Sequence, residues 1–298
     1  MQQFTVTPTA ETLLNDIQKL IYHQEEPFQS SSIYAQYKVY ELAKQHQVKV
    51  ILDGQGADEI LAGYYKYIHW FLQEKVKSRQ PIAVSRELKA LTINSIPFEW
   101  SWKNKLAARF PEIAAVQLES KAFKEIKFSA GIDAAYFKEH INKQTIFKPI
   151  VRKLNDLLYY NTMQFGLEEL LRYADRNSMA HGREVRLPFL NHELVQFIFS
   201  LPSHYKIHNG FTKYILRESM KQVLPTSIVY RTDKVGYEPP QQQWMQTAGF
   251  TELLMESRKK LVSEKIIRSD VLQQPLQAKA AHAVNNVDWR YFCASNLF

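Results

Sequence analysis

The run Val48-Lys49-Val50-Ile51-Leu52 ends in Asp53-Gly54-Gln55-Gly56 and passes straight into Ala57-Asp58-Glu59-Ile60, and no other segment limits the fold as strongly. β-Branched residues at 48, 50 and 51 call for a strand, and the two glycines call for a turn at its end. From Ala57 to about Lys75 the chain is rich in alanine, leucine and aromatic residues, so a helix follows the turn. Upstream, Leu13, Leu14, Ile17, Leu20 and Ile21 recur at helical spacing within Ala10–Tyr22, with Thr9 as a cap. Glu25-Glu26-Pro27 breaks that helix, and Ser30 to Ser32 open a second one running to about Gln47. The order helix, helix, strand, loop, helix is the beginning of an α/β fold.

Beyond about residue 83 the pattern becomes helical, with segments predicted near 84–93, 103–117, 149–163 and 166–177 and no convincing strands. Pro188, Pro202, Pro225 and Pro239-Pro240 divide the remainder into short helical pieces. No internal repeat or low-complexity linker separates independent domains. The fold class expected is therefore α/β and mostly helical: one domain with an α/β portion over about residues 1–80 and a predominantly helical remainder over about 81–298.

Lysine and arginine exceed aspartate and glutamate by 38 to 30, a net charge of +8 that suits anionic ligands. The basic residues are scattered rather than gathered into a stripe, which argues against a nucleic-acid partner. Tyr64, Tyr65, Lys66, Tyr67 and Trp70 would alternate faces on a helix and read as packing. No apolar run reaches the roughly 20 residues of a membrane helix, and no leader pattern precedes the first helix, so a soluble protein with no membrane partner is expected. The single cysteine, Cys293, fits a reducing cytoplasm and reads as a packing residue. His181 and His192 have no partners at metal-ligand spacing and read as packing or surface residues.

Residues 53–59 lie beyond the carboxyl end of the predicted strand, where open parallel sheets gather their ligands. Two glycines there permit close backbone approach, Gln55 offers an amide, and Asp58 and Glu59 place carboxylates at a helix start. Such carboxylates can hold magnesium with substrate phosphates completing the coordination. A purely local reading of the same residues is also available. The glycines make a turn, Asp53 bonds to nearby backbone, and the Asp58-Glu59 pair complements the helix dipole.

The segment LDGQGADEILAGYYKY resembles the asparagine synthetase family, in which a small or acidic residue, glycine, a polar residue, glycine and an Asp-Glu pair follow a strand. LLRYADRNSMAHGREVRLPFL, from Leu170 to Leu190, is similar to that family's Asp-Arg-x-Ser-Met-Ala followed by Glu-x-Arg-x-Pro-Phe-Leu. YILRESMKQVLPTSIVYRTDKVGYEPP, from Tyr214 to Pro240, resembles its segment in which an arginine precedes lysine, any residue, glycine and an aromatic. By this resemblance Asp53 and Gly54 would contact ATP. Gln55 and Gly56 would lie beside the aspartate substrate or its acyl-adenylate, and Asp58 would bind Mg2+. Asp175 would lie near the reacting acyl group, with Arg176, Glu184 and Arg186 as a buried ionic network around it. Lys234 would be the catalytic lysine, stabilising negative charge built during adenylation and ammonia attack, and Gly236 would let its loop approach closely. Well-known members carry an acid at the Gln55 position.

The resemblance implies a partial adenine nucleotide alpha-hydrolase-like (ATP pyrophosphatase) parallel sheet followed by a helical portion, with ATP and Mg2+ as cofactors. It implies the conversion of aspartate to asparagine with ammonia from a glutaminase domain. The family's Ser-Gly-Gly-x-Asp-Ser pyrophosphate loop does not occur in the sequence, and residue 2 is Gln2 where a glutaminase would have its cysteine. The expectation is a fragment lacking the glutaminase domain and inactive alone, whose uncovered strand could recruit a second copy into a homodimer by edge pairing, as a consequence of truncation. The alternatives are a related enzyme acting on another carboxylate, as in β-lactam synthetases or sugar-modifying amidotransferases, and a non-catalytic remnant that binds a nucleotide or partner chain.

Overall fold

The computed structural model describes residues 2–129, 131–141, 149–233, 236 and 238–297, without the side chains of 127–129. Two helices open the chain, α1 (Ala10–Gln24) and α2 (Ser32–Gln45), followed by strand β1 (Val50–Leu52). The Thr9 hydroxyl caps α1 by accepting from Thr12 N–H, as the sequence suggested. The helix expected over 57–75 is two helices, α3 (Ala57–Ile60) and α4 (Lys66–Lys77). Buried Ala62 turns to φ +57° between them, and Gly63 N–H donates to Asp58 O at 2.8 Å, folding the chain back on α3.

Then come α5 (Pro81–Ile93), α6 (Trp102–Arg109), α7 (Pro111–Ser129) and α8 (Ala134–His140). The segment predicted as one helix over 103–117 divides at Phe110 because Pro111 disfavours a helical residue before it. Helix α9 (Leu154–Met163) starts later than the expected residue 149, where Asp156 accepts from Lys153 N–H and the Glu74 carboxylate from Leu154 N–H. Helix α10 (Leu167–Ala180) follows Gly166, whose φ is +98°.

Strands absent from the sequence reading follow. Strand β2 (Glu184–Arg186) pairs parallel to β1, with Val50, Ile51 and Leu52 opposite Glu184, Val185 and Arg186. Its charged first and third residues and single apolar centre gave no strand pattern to read. The sole strand partner of β1 among the described residues thus comes from far beyond residue 80. Helix α11 (His192–Ser200) leads to the hairpin β3 (Ile207–His208) and β4 (Phe211–Thr212). Asn209 and Gly210 turn it with φ of +49° and +75°, and both N–H groups donate to the buried Glu87 carboxylate at 3.2 and 2.9 Å. The chain ends through α12 (Tyr214–Met220), α13 (Thr226–Val229), α14 (Gln241–Trp244), α15 (Ala248–Ser263) and α16 (Val287–Ser295).

The architecture is therefore α/β and mostly helical, with a small parallel sheet. One hydrophobic cluster joins the first helices to the last, packing Leu13, Ile17, Tyr34 and Tyr37 with Phe250, Trp289 and Phe292. Phe28 O stitches it by accepting from both Trp289 Nε1 and Cys293 Sγ, each at 3.2 Å. Burial pushes the Cys293 thiol up to about 12, so it is a packing residue and not a nucleophile. A second cluster packs α4, α5 and α9 through Phe71, Leu72, Leu91 and Leu158. A smaller third one holds Ile60 and Leu61 against Val195 and Ile198 of α11, with Ile215 and Leu216 of α12 at its edge. That cluster fixes α3 between α11 and α12. Among the described residues no helix is long and apolar enough to cross a membrane.

Candidate functional site

The ladder of β1 continues one residue past the strand, where Asp53 N–H donates to Arg186 O at 3.0 Å. The loop then leaves the sheet. A Cβ on Gly54 would meet nothing within 4 Å, whereas one on Gly56 would fall 2.2 Å from Leu190 Cδ2, at a φ of +87°. Gly54 is thus the position open to a ligand, and Gly56 serves the turn and the packing of Leu190. Gln55 reaches α10, its Nε2 donating weakly to Leu170 O at 3.4 Å. Its buried Oε1 has no hydrogen-bond partner among the described residues. An amide oxygen held dry without a donor is costly, and a ligand donor would relieve it.

Adjacent in sequence, Asp58 and Glu59 diverge in space. Glu59 turns inward, 4% exposed, and accepts from Tyr64 Oη at 2.7 Å. Burial, reinforced by the Glu59 charge, raises the Tyr64 phenol above its usual range and keeps it a donor. Asp58 faces a cavity of about 240 Å3 that also meets Lys213, Arg217 and Thr232. Lys213 Nζ lies 2.9 Å from Asp58 Oδ1. The β3–β4 hairpin delivers Lys213 there, in a left-handed conformation with φ +53° and ψ +34°. Its backbone N–H donates to Leu61 O at 3.2 Å, so Lys213 grips α3 twice.

The segment before Lys234 is tied to the same cavity. Arg217 donates from Nε to Thr212 O at 2.7 Å and from Nη1 to Arg231 O at 3.0 Å, with a second Nη1 contact to Val229 O. Tyr65 Oη donates to Thr232 O. Arg231 and Asp233 form a two-pronged pair at 2.8 and 2.6 Å. Lys234 itself lies outside the described residues. Gly236 is exposed, and a Cβ there would meet nothing within 4 Å among them.

The other expected site residues are distributed differently. Asp175 is exposed on α10 and is not among the cavity residues; its carbonyl accepts from Ser178 Oγ at 2.9 Å. Arg176 pairs with Glu25 at 2.5 Å, at the end of α1. Glu184 and Arg186 pair with each other at 2.6 Å, with side chains 56% and 62% exposed. The buried network expected of these three is absent: strand residues two apart share a face, and that face of β2 is open. Lys213, Tyr65 and Arg217 are the residues that sequence reasoning left without a role in the site.

Among the described residues no cluster of three or more histidine, cysteine or acidic groups could hold a metal. Asp58 alone still suits magnesium, which commonly takes one or two protein carboxylates and completes its shell with phosphates and water. Among the described residues three cations and two carboxylates line the cavity, a balance that favours an anion.

The protein-family model "Asparagine synthase" matches residues 1–292. "Asparagine synthetase [glutamine-hydrolyzing] 1" of Bacillus subtilis is 24% identical over 286 residues, covering 93% of this chain and 44% of that protein. "Asparagine synthetase [glutamine-hydrolyzing] 3" of the same organism is 28% identical over 234 residues, covering 78% and 33%. "Amidase chyE" of Penicillium rubens is 24% identical over 280 residues, covering 78% and 38%. The chain spans less than half the length of these relatives. With the family model matched over nearly its whole length, the chain belongs to the asparagine synthase family.

Proposed function

We propose that this chain carries the amide-forming centre of an ATP-dependent amidotransferase, built on an ATP pyrophosphatase-like sheet. A substrate carboxylate attacks the α-phosphorus of ATP, releasing pyrophosphate and leaving an acyl-adenylate. Ammonia then attacks the acyl carbon, AMP leaves, and a proton is lost to give the amide. Aspartate is the leading substrate and asparagine the product, with ammonia supplied by a glutaminase that this sequence does not show.

The observation that carries this reading is the meeting of Asp58, Lys213 and the Arg217-tethered segment in one cavity, just beyond the glycine loop of β1. On this reading Asp53 and Gly54, which lie beside that cavity's residues in sequence but do not line it, receive the nucleotide, the exposed Gly54 backbone offering close approach. Gln55 turns its amide toward the carboxylate substrate. Asp58 holds magnesium, which when bound neutralises phosphate charge. Lys234 follows directly on the tethered segment and stabilises negative charge on the reacting oxygens. Asp175 stands near the acyl group in this reading, and the exposed pairs of Arg176, Glu184 and Arg186 support the surrounding surface.

A second reading, with another carboxylate in place of aspartate, is favoured by Gln55, a neutral amide where well-known members have an acid. The chain, alone and extended upstream with a Ser-Gly-Gly-x-Asp-Ser segment, should be supplied with ATP, magnesium and 15N-ammonium. Labelled asparagine formed from aspartate by the extended form supports the first reading. A labelled amide from a different carboxylate supports the second, and no labelled amide from any carboxylate contradicts both.

A further inference from the structure

Lys213 occupies the one carboxylate to which the proposed function gives the metal, and it does so in a conformation that a lysine seldom adopts. Left-handed backbone at a non-glycine residue is strained and persists where the surroundings enforce it, commonly at functional sites. The enforcement here is visible. Lys213 follows the β3–β4 hairpin, whose turn is anchored on Glu87, and its own N–H is bound to Leu61 O. Gly63 leaves the space in which the ammonium and carboxylate meet, because a Cβ there would lie 2.4 Å from Lys213 Cε and 1.8 Å from Asp58 Oδ1.

A cation and a metal ion cannot both sit on the same carboxylate oxygen without strong repulsion. The two side chains are 28% and 27% exposed, so the pair is open enough for the ammonium to move and dry enough for its charge to matter. We propose that Lys213 is a transferable counter-ion: it neutralises Asp58 until a divalent cation arrives, yields that oxygen to it, and moves its ammonium onto a phosphate oxygen of the incoming nucleotide. The inference rests on the reading of Asp58 as the metal carboxylate. It goes further in assigning Lys213 opposite effects on the bare metal and on the metal–phosphate complex. A lysine that merely staples the hairpin to α3 would lack that sign reversal.

The test uses this chain with Mn2+ as the probe, followed by electron paramagnetic resonance, first alone and then with inorganic pyrophosphate. Lys213→Met should bind Mn2+ about two- to fivefold more tightly, the worth of a partly exposed ion pair, and Mn2+–pyrophosphate more weakly. Lys213→Arg should resemble the parent in both titrations. Lys213→Gly, which also releases the left-handed strain, should show the same reversal as methionine while melting no lower than methionine, separating charge from folding. Unchanged or weaker Mn2+ binding in Lys213→Met, with loss of binding in Asp58→Asn, overturns the counter-ion role alone. Equal Mn2+ binding in Asp58→Asn and the parent, or none in either, overturns the metal reading of Asp58 and the counter-ion proposal with it.

Discussion

Lys213 Nζ meets Asp58 Oδ1 at 2.9 Å directly over Gly63, where no side chain could be accommodated without pushing them apart. Gly63→Ala is therefore expected to break this pair. The new methyl would overlap the carboxylate oxygen at 1.8 Å and must displace it. The displaced atoms end two flexible, partly exposed side chains, so the stability cost should be small and the urea midpoint little changed. Nucleotide binding should fall more steeply than stability, since both charged groups move.

Arg217 gathers the carbonyls of Thr212, Val229 and Arg231, bringing the hairpin and the segment before Lys234 to one guanidinium. Arg217→Ala leaves those acceptors without their charged donor and should cost about 1.5–3 kcal/mol. Faster amide hydrogen exchange over residues 229–233 is the expected signature, with α1 and α16 unaffected. Uniform acceleration throughout the chain would instead mark Arg217 as a general folding residue.

Alkaline stability follows from buried phenols. Burial first of all raises both Tyr67 and Tyr291 from 10.0 to about 12, so the folded chain retains protons that the unfolded chain releases between those values. The unfolded state then binds fewer protons, and unfolding free energy falls as pH rises through that window, by about 1.4 kcal/mol per pH unit for each phenol. Urea unfolding between pH 9 and about pH 12, followed beside tyrosinate absorbance, should show the loss beginning as the unfolded-state phenols ionise. Tyr291→Phe should make that slope shallower.

Much of this arrangement was legible because local chemistry and tertiary structure agree at β1: its branched residues, two glycines and following helix occur in the expected order. Strand β2 was hidden by its own composition, since Glu184 and Arg186 lie on an open face and only Val185 gives an apolar signal. The β3–β4 hairpin did carry a readable mark, Asn209-Gly210, the favoured pair for a tight turn. That signal was missed because strands of two residues have no periodicity. Lys213 was illegible for a related reason, as its importance comes from a left-handed backbone and from Gly63, distant in sequence. The expected burial of Glu184 and Arg186 did not follow from their charges, because i and i+2 on an exposed strand satisfy one another in water.

The most direct test of the amide-forming centre is pyrophosphate release from ATP with magnesium, a carboxylate substrate and ammonium chloride. It should be run on this chain, on the chain extended with the Ser-Gly-Gly-x-Asp-Ser segment, and on the extended Asp58→Asn and Lys234→Ala variants. Release is expected only from the extended form, falling about 100-fold or more in each variant, as when a group stabilising transition-state charge is removed. Equal release from the extended form and both variants would contradict the assignment of this cavity as the reacting centre.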